Sequence, residues 1–210
     1  NMLDNVKLPC HSSIKIEGSK TMYIDPFMID KDYSDADYIF CTHGHYDHFS
    51  EEDILKVMNE KTKIITVECT HGMSRGLFQD ENKIIIVEPN NEYEIDDIKF
   101  KTTPAYNKEK MYHQKKENWV GYIIELDGLK YYIAGDTDAI DELLNIECDV
   151  AFLPVGGKYT MDYKEAAYLA NEITADVVIP THYGSIVGEK EDGEKFAKLV
   201  NGKEVKVYIK

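Results

Sequence analysis

Features of disulfide-stabilised and membrane proteins are scarce in this chain of 210 residues. It holds four cysteines far apart in sequence and no C-x-x-C pair: Cys10, Cys41, Cys69 and Cys148. Dispersed thiols in a chain of this length favour a reducing cytosol over a disulfide scaffold. The sequence has neither a secretory h-region nor an apolar run of membrane-spanning length. We therefore expect a cytoplasmic protein with no membrane segment.

Basic residues are also few. The chain has 24 Lys and Arg against 39 Asp and Glu, which gives a formal net charge of -15. Nucleic-acid binding needs a basic surface that replaces phosphate counterions, so this charge argues against a nucleic-acid partner. A small-molecule substrate, including an anionic one, stays compatible with it because bound cations make a pocket locally positive. Oligomeric state leaves no clear trace in the sequence.

Linkers rich in Pro, Gly or Ser are absent, and short strands recur instead. Runs of β-branched and aromatic residues predict eleven strands, at 14–17, 21–25, 38–41, 63–67, 83–87, 98–102, 119–126, 130–134, 150–153, 177–179 and 205–209. Acidic starts and apolar spacing near 3.6 predict helices at 51–58, 138–144, 162–173 and 192–200. We expect sheets between outer helices in one domain over residues 2–210, with two β-rich halves of roughly 2–95 and 96–210.

The most informative segment is residues 43–48, which contain the pattern H-x-H-x-D-H. In an extended segment, residues i and i+2 point the same way, so His43 and His45 can bind one cation. Asp47 and His48 follow a change of chain direction and can face a second cation. Four metal-competent side chains in six positions predict a metal site rather than a polar loop.

Two further candidates follow hydrophobic strands. Asp136 comes after the predicted strand at 130–134, and His182 comes after the strand at 177–179. Such side chains lie at the rim of a sheet, where sites of α/β proteins usually form. Alone, Asp136 would be interpreted as a cap for the next helix. The first cluster makes both residues candidate metal ligands.

The long irregular segment Pro104–Asn118 is a candidate lid. Loops of this length in compact domains tend to be functional or disordered. The basic and aromatic residues of this loop favour a lid that covers a pocket, with a floppy surface loop as the alternative. The turn Gly156–Met161 offers two interpretations. Its backbone N–H groups can bind an anion with help from Lys158, or it is an ordinary turn.

These segments together resemble the metallo-β-lactamase superfamily over nearly the whole chain. The matching segments are His-Ser-Ser-Ile-Lys-Ile-Glu from His11, Tyr-Ile-Asp-Pro-Phe from Tyr23, the cluster from Thr42, Tyr-Ile-Ala-Gly-Asp-Thr-Asp from Tyr132, Leu-Pro-Val-Gly-Gly from Leu153 and Pro-Thr-His-Tyr-Gly from Pro180. The chain is most similar to small stand-alone hydrolases related to ascorbate-phosphate lactonases. It is more distantly similar to phosphodiesterases that release N-acylethanolamines. The resemblance implies an α/β fold, a four-layer αββα sandwich.

The resemblance also implies ligands for two metals. His43 and His45 would bind the first metal, Asp47, His48 and His182 the second, and Asp136 would bridge both. The third imidazole of the first metal departs from the family pattern, which commonly has His shortly after Pro-Ala, where this chain has Asn107. An amide oxygen is a weak Zn²⁺ ligand, so we expect His113 to take that place, with a vacant position as the alternative.

This ligand set implies a reaction. Two cations about 3.5–4 Å apart lower the pKa of a shared water towards neutrality and so supply a metal-bridging hydroxide. Zn²⁺ suits the histidines, whereas the carboxylates also admit Mn²⁺ or Fe. We assign catalytic roles to Asp47, Asp136 and Tyr183, the last as oxyanion donor or proton donor. Asp25 is a candidate partner for the second N–H of a ligand imidazole, and His11 is expected to be a core histidine.

The sequence therefore predicts a metal-dependent hydrolase of a small ester, lactone or phosphodiester. One alternative is an iron-dependent oxidoreductase of the same fold, but flavin-linked di-iron relatives usually have a carboxylate at the place of His45 and carry an electron-transfer domain. A second alternative is a non-catalytic metal-binding module. The intact first cluster argues against it.

Overall fold

The protein divides into two compact units in a computed structural model that describes residues 3–210. The division falls between Val87 and Glu88, earlier than the expected boundary near residue 95. The reason is that the segment Glu92–Ile95 is a strand that pairs with Ile98–Pro104. Met2, where the predicted domain starts, lies outside the described residues.

The first unit contains one sheet of six strands. They are β1 (Val6–Cys10), β2 (Ser13–Glu17), β3 (Thr21–Ile24), β4 (Tyr38–Phe40), β5 (Lys63–Thr66) and β6 (Ile84–Ile86), in spatial order β1-β2-β3-β4-β5-β6. β1, β2 and β3 pair in antiparallel fashion, and the strands from β3 to β6 are parallel. Every residue of β4 is buried, as expected for a central parallel strand covered on both faces.

Two helices connect the parallel strands of this unit, α1 (Glu51–Val57) and α2 (His71–Leu77). Ser50 caps α1, because its side chain accepts a hydrogen bond from the Asp53 N–H. The acidic residues of the first turn complement the positive end of the helix dipole. The buried face of α1 packs with β4 and β5 residues such as Ile39 and Ile64 in a hydrophobic cluster. The loop between β4 and α1 carries the histidine-rich motif.

The second unit contains one sheet of seven strands. They are β7 (Glu92–Ile95), β8 (Ile98–Pro104), β9 (Val120–Leu126), β10 (Leu129–Ile133), β11 (Val150–Pro154), β12 (Val177–Thr181) and β13 (Glu204–Val205). Their spatial order is the reverse of the chain order, from β13 to β7. Strands β7 to β10 are antiparallel, and β10 to β13 are parallel. Each unit thus begins with an antiparallel meander and ends with parallel strands.

Helices α3 (Tyr163–Glu172) and α4 (Asp192–Leu199) connect the parallel strands of the second unit. Asp162 and Glu165 form a capping box at the start of α3. The buried face of α3, which includes Leu169, joins β11 and β12 residues in the core of this unit. The loops after β10 and β12 carry the other candidate ligands.

Most elements agree with the sequence. All eleven predicted strands overlap observed strands, the last at Val205 alone, whereas β1 and β7 were not predicted. The helix predicted at 138–144 is wrong, because this segment forms only a 3-10 turn at Asp141–Leu143. The carboxylate of Asp138 accepts hydrogen bonds from Lys108 and Lys110 instead of capping a helix. Within residues 3–210, no helix combines the length and apolar character that crossing a membrane requires.

Candidate metal centre

The histidine-rich motif folds into a tight loop after β4. The N–H groups of His48 and Phe49 both donate to the carbonyl of His45, at 2.9 and 2.8 Å. This turn brings the imidazole of His43 to 4.8 Å from that of His45 and 4.1 Å from that of His48, measured between ring centroids. The change of chain direction that the sequence predicted within the motif is present.

Gly44 lies at a motif position where a side chain would be crowded. A Cβ built there would lie 3.0 Å from Cys69 Sγ and 3.2 Å from Thr70 Cγ2. Both contacts are tighter than ordinary carbon contacts, so glycine lets the segment lie flat against its neighbours. Packing therefore favours a glycine between His43 and His45.

Asp25 orients the imidazole of His48. Its carboxylate is buried and accepts hydrogen bonds from the Thr42 N–H at 2.8 Å, the Thr42 hydroxyl at 2.7 Å and His48 Nδ1 at 2.7 Å. Burial raises the pKa of Asp25, and the hydrogen bonds from His48 and Thr42 oppose that shift. A proton held on Nδ1 of His48 leaves the lone pair on Nε2, the atom a metal would bind. Asp25 thus has the orienting position that the sequence suggested.

The same network determines the tautomer of His43. The Thr42 hydroxyl has one hydrogen, which it donates to Asp25, so its contact with His43 Nδ1 at 2.9 Å makes that nitrogen the donor. The lone pair of His43 is then on Nε2. Two motif histidines are therefore held in the tautomer that suits metal binding at Nε2.

His11 is the functional candidate that sequence reasoning missed. It is fully buried, as expected of a core histidine, but its Nε2 donates to Asp47 Oδ2 at 2.7 Å. The same oxygen lies 3.4 Å from His48 Nε2. His11 therefore touches a predicted ligand directly. The signal available in the sequence was its place at the start of the first segment that matches the superfamily.

The second unit brings further candidate ligands together around Asp136. Its Oδ2 lies 3.1 Å from His113 Nε2 and 3.2 Å from His182 Nε2. Asp136 follows β10, His182 follows β12, and His113 comes from the predicted lid. All three side chains are buried. A carboxylate between two imidazoles is a donor set suited to Zn²⁺ and to other divalent transition metals.

Four of the eleven non-glycine residues with positive φ in the described part of the chain are candidates at these sites. His113 has φ 55° and His182 has φ 59°, while His11 has φ 52° and Asp25 has φ 45° in the first unit. A residue with a Cβ adopts this region at a cost of about 1–3 kcal/mol, and such residues cluster at functional sites. Such strain agrees with a functional role at these four positions, and residues without one, such as Met28 and Asn90, share it.

Asn107 is placed differently from His113. The amide nitrogen of Asn107 donates to the carbonyls of Tyr112 and Tyr159, at 3.1 and 2.7 Å. Among the two residues considered for the third imidazole position, His113 is the one that lies beside Asp136. The geometry within this unit favours the histidine.

Tyr183 requires a correction. We predicted a catalytic tyrosine, but its side chain is 0% exposed within the core of the second unit, and its hydroxyl donates to the carbonyl of Ile209 at 2.8 Å. Burial raises the pKa of Tyr183 to about 12. The absence of a side chain at Gly193 makes room for the ring, since a Cβ there would overlap the tyrosine. Tyr183 is a core residue.

Tyr183→Phe should therefore leave kcat and KM unchanged and lower stability. Loss of one buried hydrogen bond costs about 1 kcal/mol, which corresponds to a decrease in Tm of about 2–4 °C for a chain of this length. Thermal unfolding and steady-state kinetics on the same preparation check this. A fall in kcat at unchanged Tm would restore the catalytic assignment.

The turn Gly156–Met161 does not form the anion cradle that was one of its two interpretations. The N–H groups of Gly157, Tyr159 and Met161 all donate to backbone carbonyls. The ammonium group of Lys158 lies over the ring of Tyr159. Several backbone donors of this segment are thus already used in hydrogen bonds, which favours the interpretation as an ordinary turn.

The donor types present in each unit suit divalent metals. Each set combines imidazoles with a carboxylate, both of which are common ligands of divalent transition metals. In the first unit, hydrogen bonds from the outer nitrogens of His43 and His48 hold the rings in the metal-binding tautomer. In the second unit, Asp136 lies within 3.2 Å of two imidazole nitrogens. Buried imidazoles and carboxylates in such groups are costly unless they pair with each other or with a metal.

Known proteins resemble this chain closely. It matches the family described as the β-lactamase superfamily domain over residues 6–182. A UPF0173 metal-dependent hydrolase from Thermococcus onnurineus is 33% identical over 214 residues, which cover 95% of this chain and 93% of the relative. A crystal structure of a protein assigned as a metal-dependent hydrolase, from Parabacteroides distasonis, has a TM-score of 0.80 at 29% identity and covers 98% of this chain and 93% of its own.

A metallo hydrolase from Ignicoccus hospitalis shares the fold, with a TM-score of 0.76 at 24% identity over 96% of this chain and 93% of its own. The family match and these relatives define the class, a hydrolase of the metallo-β-lactamase fold, and confirm the predicted fold. The chain belongs to the UPF0173 family of metal-dependent hydrolases within the β-lactamase superfamily. The predicted relation to ascorbate-phosphate lactonases stays a prediction.

Proposed function

We propose that the protein hydrolyses a small ester, lactone or phosphodiester with two divalent metals, and that both ligand sets take part in binding them. The observation that carries this proposal is the network in which Asp25 and Thr42 hold His43 and His48 in the metal-binding tautomer. A buried network of this kind is expected around metal ligands and is hard to explain as fold stabilisation alone.

The proposed ligands follow the superfamily pattern. The first metal would be held by His43, His45 and His113, the second by Asp47, His48 and His182, and Asp136 would bridge them. Zn²⁺ suits the imidazoles best, and Mn²⁺ or Fe also suits a set with two carboxylates. When bound, two such cations supply hydroxide near neutral pH and polarise the substrate's carbonyl or phosphoryl oxygen.

The residues of the chain have distinct tasks in this scheme. Asp47 would orient the attacking water with one carboxylate oxygen, while the hydrogen bond from His11 holds the other. Asp25 keeps His48 in a fixed orientation. Ligands held by several hydrogen bonds move little during the reaction, and such preorganisation lowers the barrier to hydrolysis.

The test is a substrate panel on protein reconstituted separately with Zn²⁺, Mn²⁺ and Fe²⁺. We expect turnover of at least one of three probe classes: p-nitrophenyl esters, γ- and δ-lactones, and bis-p-nitrophenyl phosphate. Activity should disappear with chelation and return with metal. Elemental analysis of the same samples gives the metal content.

Two results would contradict the proposal. Full metal content without turnover on any class would favour a binding module. Oxygen uptake by the iron form, without hydrolysis by any form, would favour the oxidoreductase alternative.

A further inference from the structure

Asn107 ties the tip of the candidate lid to the rest of the second unit. Its side chain is 4% exposed, and its amide nitrogen donates to Tyr159 O in the neighbouring turn and to Tyr112 O in the lid. Its backbone N–H donates to His113 O at 2.8 Å. One residue thus closes the segment 107–113 on itself and fastens it to the turn at Tyr159.

The residue held by these bonds is the candidate ligand His113. The Asn107 amide nitrogen lies 3.3 Å from His113 Nδ1, on the opposite side of the ring from the Nε2 that faces Asp136. His113 also has the left-handed φ of 55°, which a residue with a Cβ keeps only when its surroundings enforce it. The bonds of Asn107 to both sides of this residue supply that enforcement.

The orientation of the amide separates a positioning role from a ligand role. An asparagine that binds a metal does so through its oxygen. Here two carbonyl oxygens face the amide nitrogen, and rotation of the amide would place oxygen against oxygen, so the assignment of nitrogen and oxygen follows from the network. Oδ1 is buried and has no hydrogen-bond partner among the described residues.

The lid has a second attachment that does not depend on Asn107. Asp138 accepts hydrogen bonds from the Lys108 N–H and from Lys110 Nζ, and Lys110 also donates to Thr160 O. Removal of the Asn107 side chain should therefore leave the lid attached at residues 108–110. The effect should be confined to the segment that carries His113.

We propose that Asn107 is a positioning residue of the metal centre, which fixes His113 in its metal-binding position by donating to the carbonyls of Tyr112 and Tyr159. This inference rests on the proposed function, because it requires His113 to be a metal ligand. It explains why an asparagine occupies a position where the superfamily commonly has a histidine.

Asn107→Asp tests the inference, since it keeps the size of the side chain and removes both donors. If Asn107 were a ligand, a carboxylate would bind the metal more tightly. As a positioning donor, its loss should weaken metal binding by about 10–100-fold, the usual effect of removing a partner of a metal ligand. Asn107→Ala should weaken binding to a similar extent. Zn²⁺ dissociation constants by chelator competition, with the Co²⁺ absorption spectrum, measure this without an activity assay.

Lys116→Ala, an exposed change in the same lid, is the matched control and should bind as tightly as wild type. Thermal unfolding of the metal-free variants shows whether a substitution lowers the stability of the fold or only the affinity for metal. Unchanged or tighter Zn²⁺ binding by Asn107→Asp would overturn the inference, as would unchanged binding by Asn107→Ala, and a lower Tm at unchanged affinity would show a merely structural role. Wild-type protein that fails to bind two metals would instead contradict the proposed function, and the inference with it.

Discussion

Asp136→Asn should remove most of the bound metal and lower kcat/KM for hydrolysis by about 10³-fold or more. Asp136 Oδ2 lies close to the Nε2 atoms of both His113 and His182, at 3.1 and 3.2 Å. An amide keeps the size of the side chain but is a poor ligand for a transition metal. Removal of a residue that only contacts a metal ligand typically lowers metal affinity or activity by about 10–100-fold. Removal of a proposed direct ligand of two metals should lower both by more.

Elemental analysis after dialysis, together with steady-state kinetics at saturating metal, measures both effects. Asp141→Asn is the control, because it makes the same chemical change on an exposed side chain nearby in sequence. The control should retain the metal content and activity of the wild type. If Asp136→Asn bound two metals and turned over substrate normally, Asp136 would not be a ligand.

The parts of this molecule that the sequence predicted are those with local signals. The H-x-H-x-D-H pattern is short, and its turn is closed by bonds between residues only three and four apart, from His48 and Phe49 to His45. Asp136 and His182 follow β10 and β12, and hydrophobic runs predict where such strands end. Local spacing and strand ends therefore marked six of the seven proposed ligands as candidates, and their role as ligands stays a prediction.

The other residues depend on contacts between distant parts of the chain. His11 bonds to Asp47 across 36 positions, and its left-handed φ has no signature in composition. Tyr183 illustrates the opposite error. It follows a predicted ligand directly, but Gly193 leaves space that draws its ring into the core. Although Tyr183 is next to the predicted ligand His182 in sequence, the backbone turns at His182, which has φ 59°. The two side chains therefore need not point in the same direction.

His113 lies between these cases. The sequence offered it as a replacement for Asn107, with a vacant position as the alternative, because lid loops have no periodic signal. The structure adds that Asn107 donates to carbonyls at Tyr112 and Tyr159, which are 5 and 52 positions away. The contact with Tyr159 joins residues far apart in sequence, so local patterns could not predict it. It is also the contact that attaches the lid to the rest of the second unit.

Asp47→Asn should also abolish most hydrolysis, with an expected fall in kcat/KM of about 10³-fold, and should weaken binding of one metal more than the other. Asp47 is proposed both to bind the second metal and to orient the attacking water, so its carboxylate supplies two effects at once. Its Oδ2 accepts a hydrogen bond from His11 and lies 3.4 Å from His48 Nε2. Metal titration followed by calorimetry, with kinetics on the same samples, measures both losses.

His11→Asn provides the comparison, because asparagine tolerates the left-handed backbone at this position better than most residues. We expect this variant to lower kcat/KM by about 10–100-fold, since His11 is proposed to act only through Asp47. The double variant should have the same kcat/KM as Asp47→Asn alone. A residue that acts through another has no further effect on the rate once the other residue is replaced. Additive losses would show that His11 has an effect of its own, and unchanged hydrolysis by Asp47→Asn would show that Asp47 neither holds an essential metal nor orients the water.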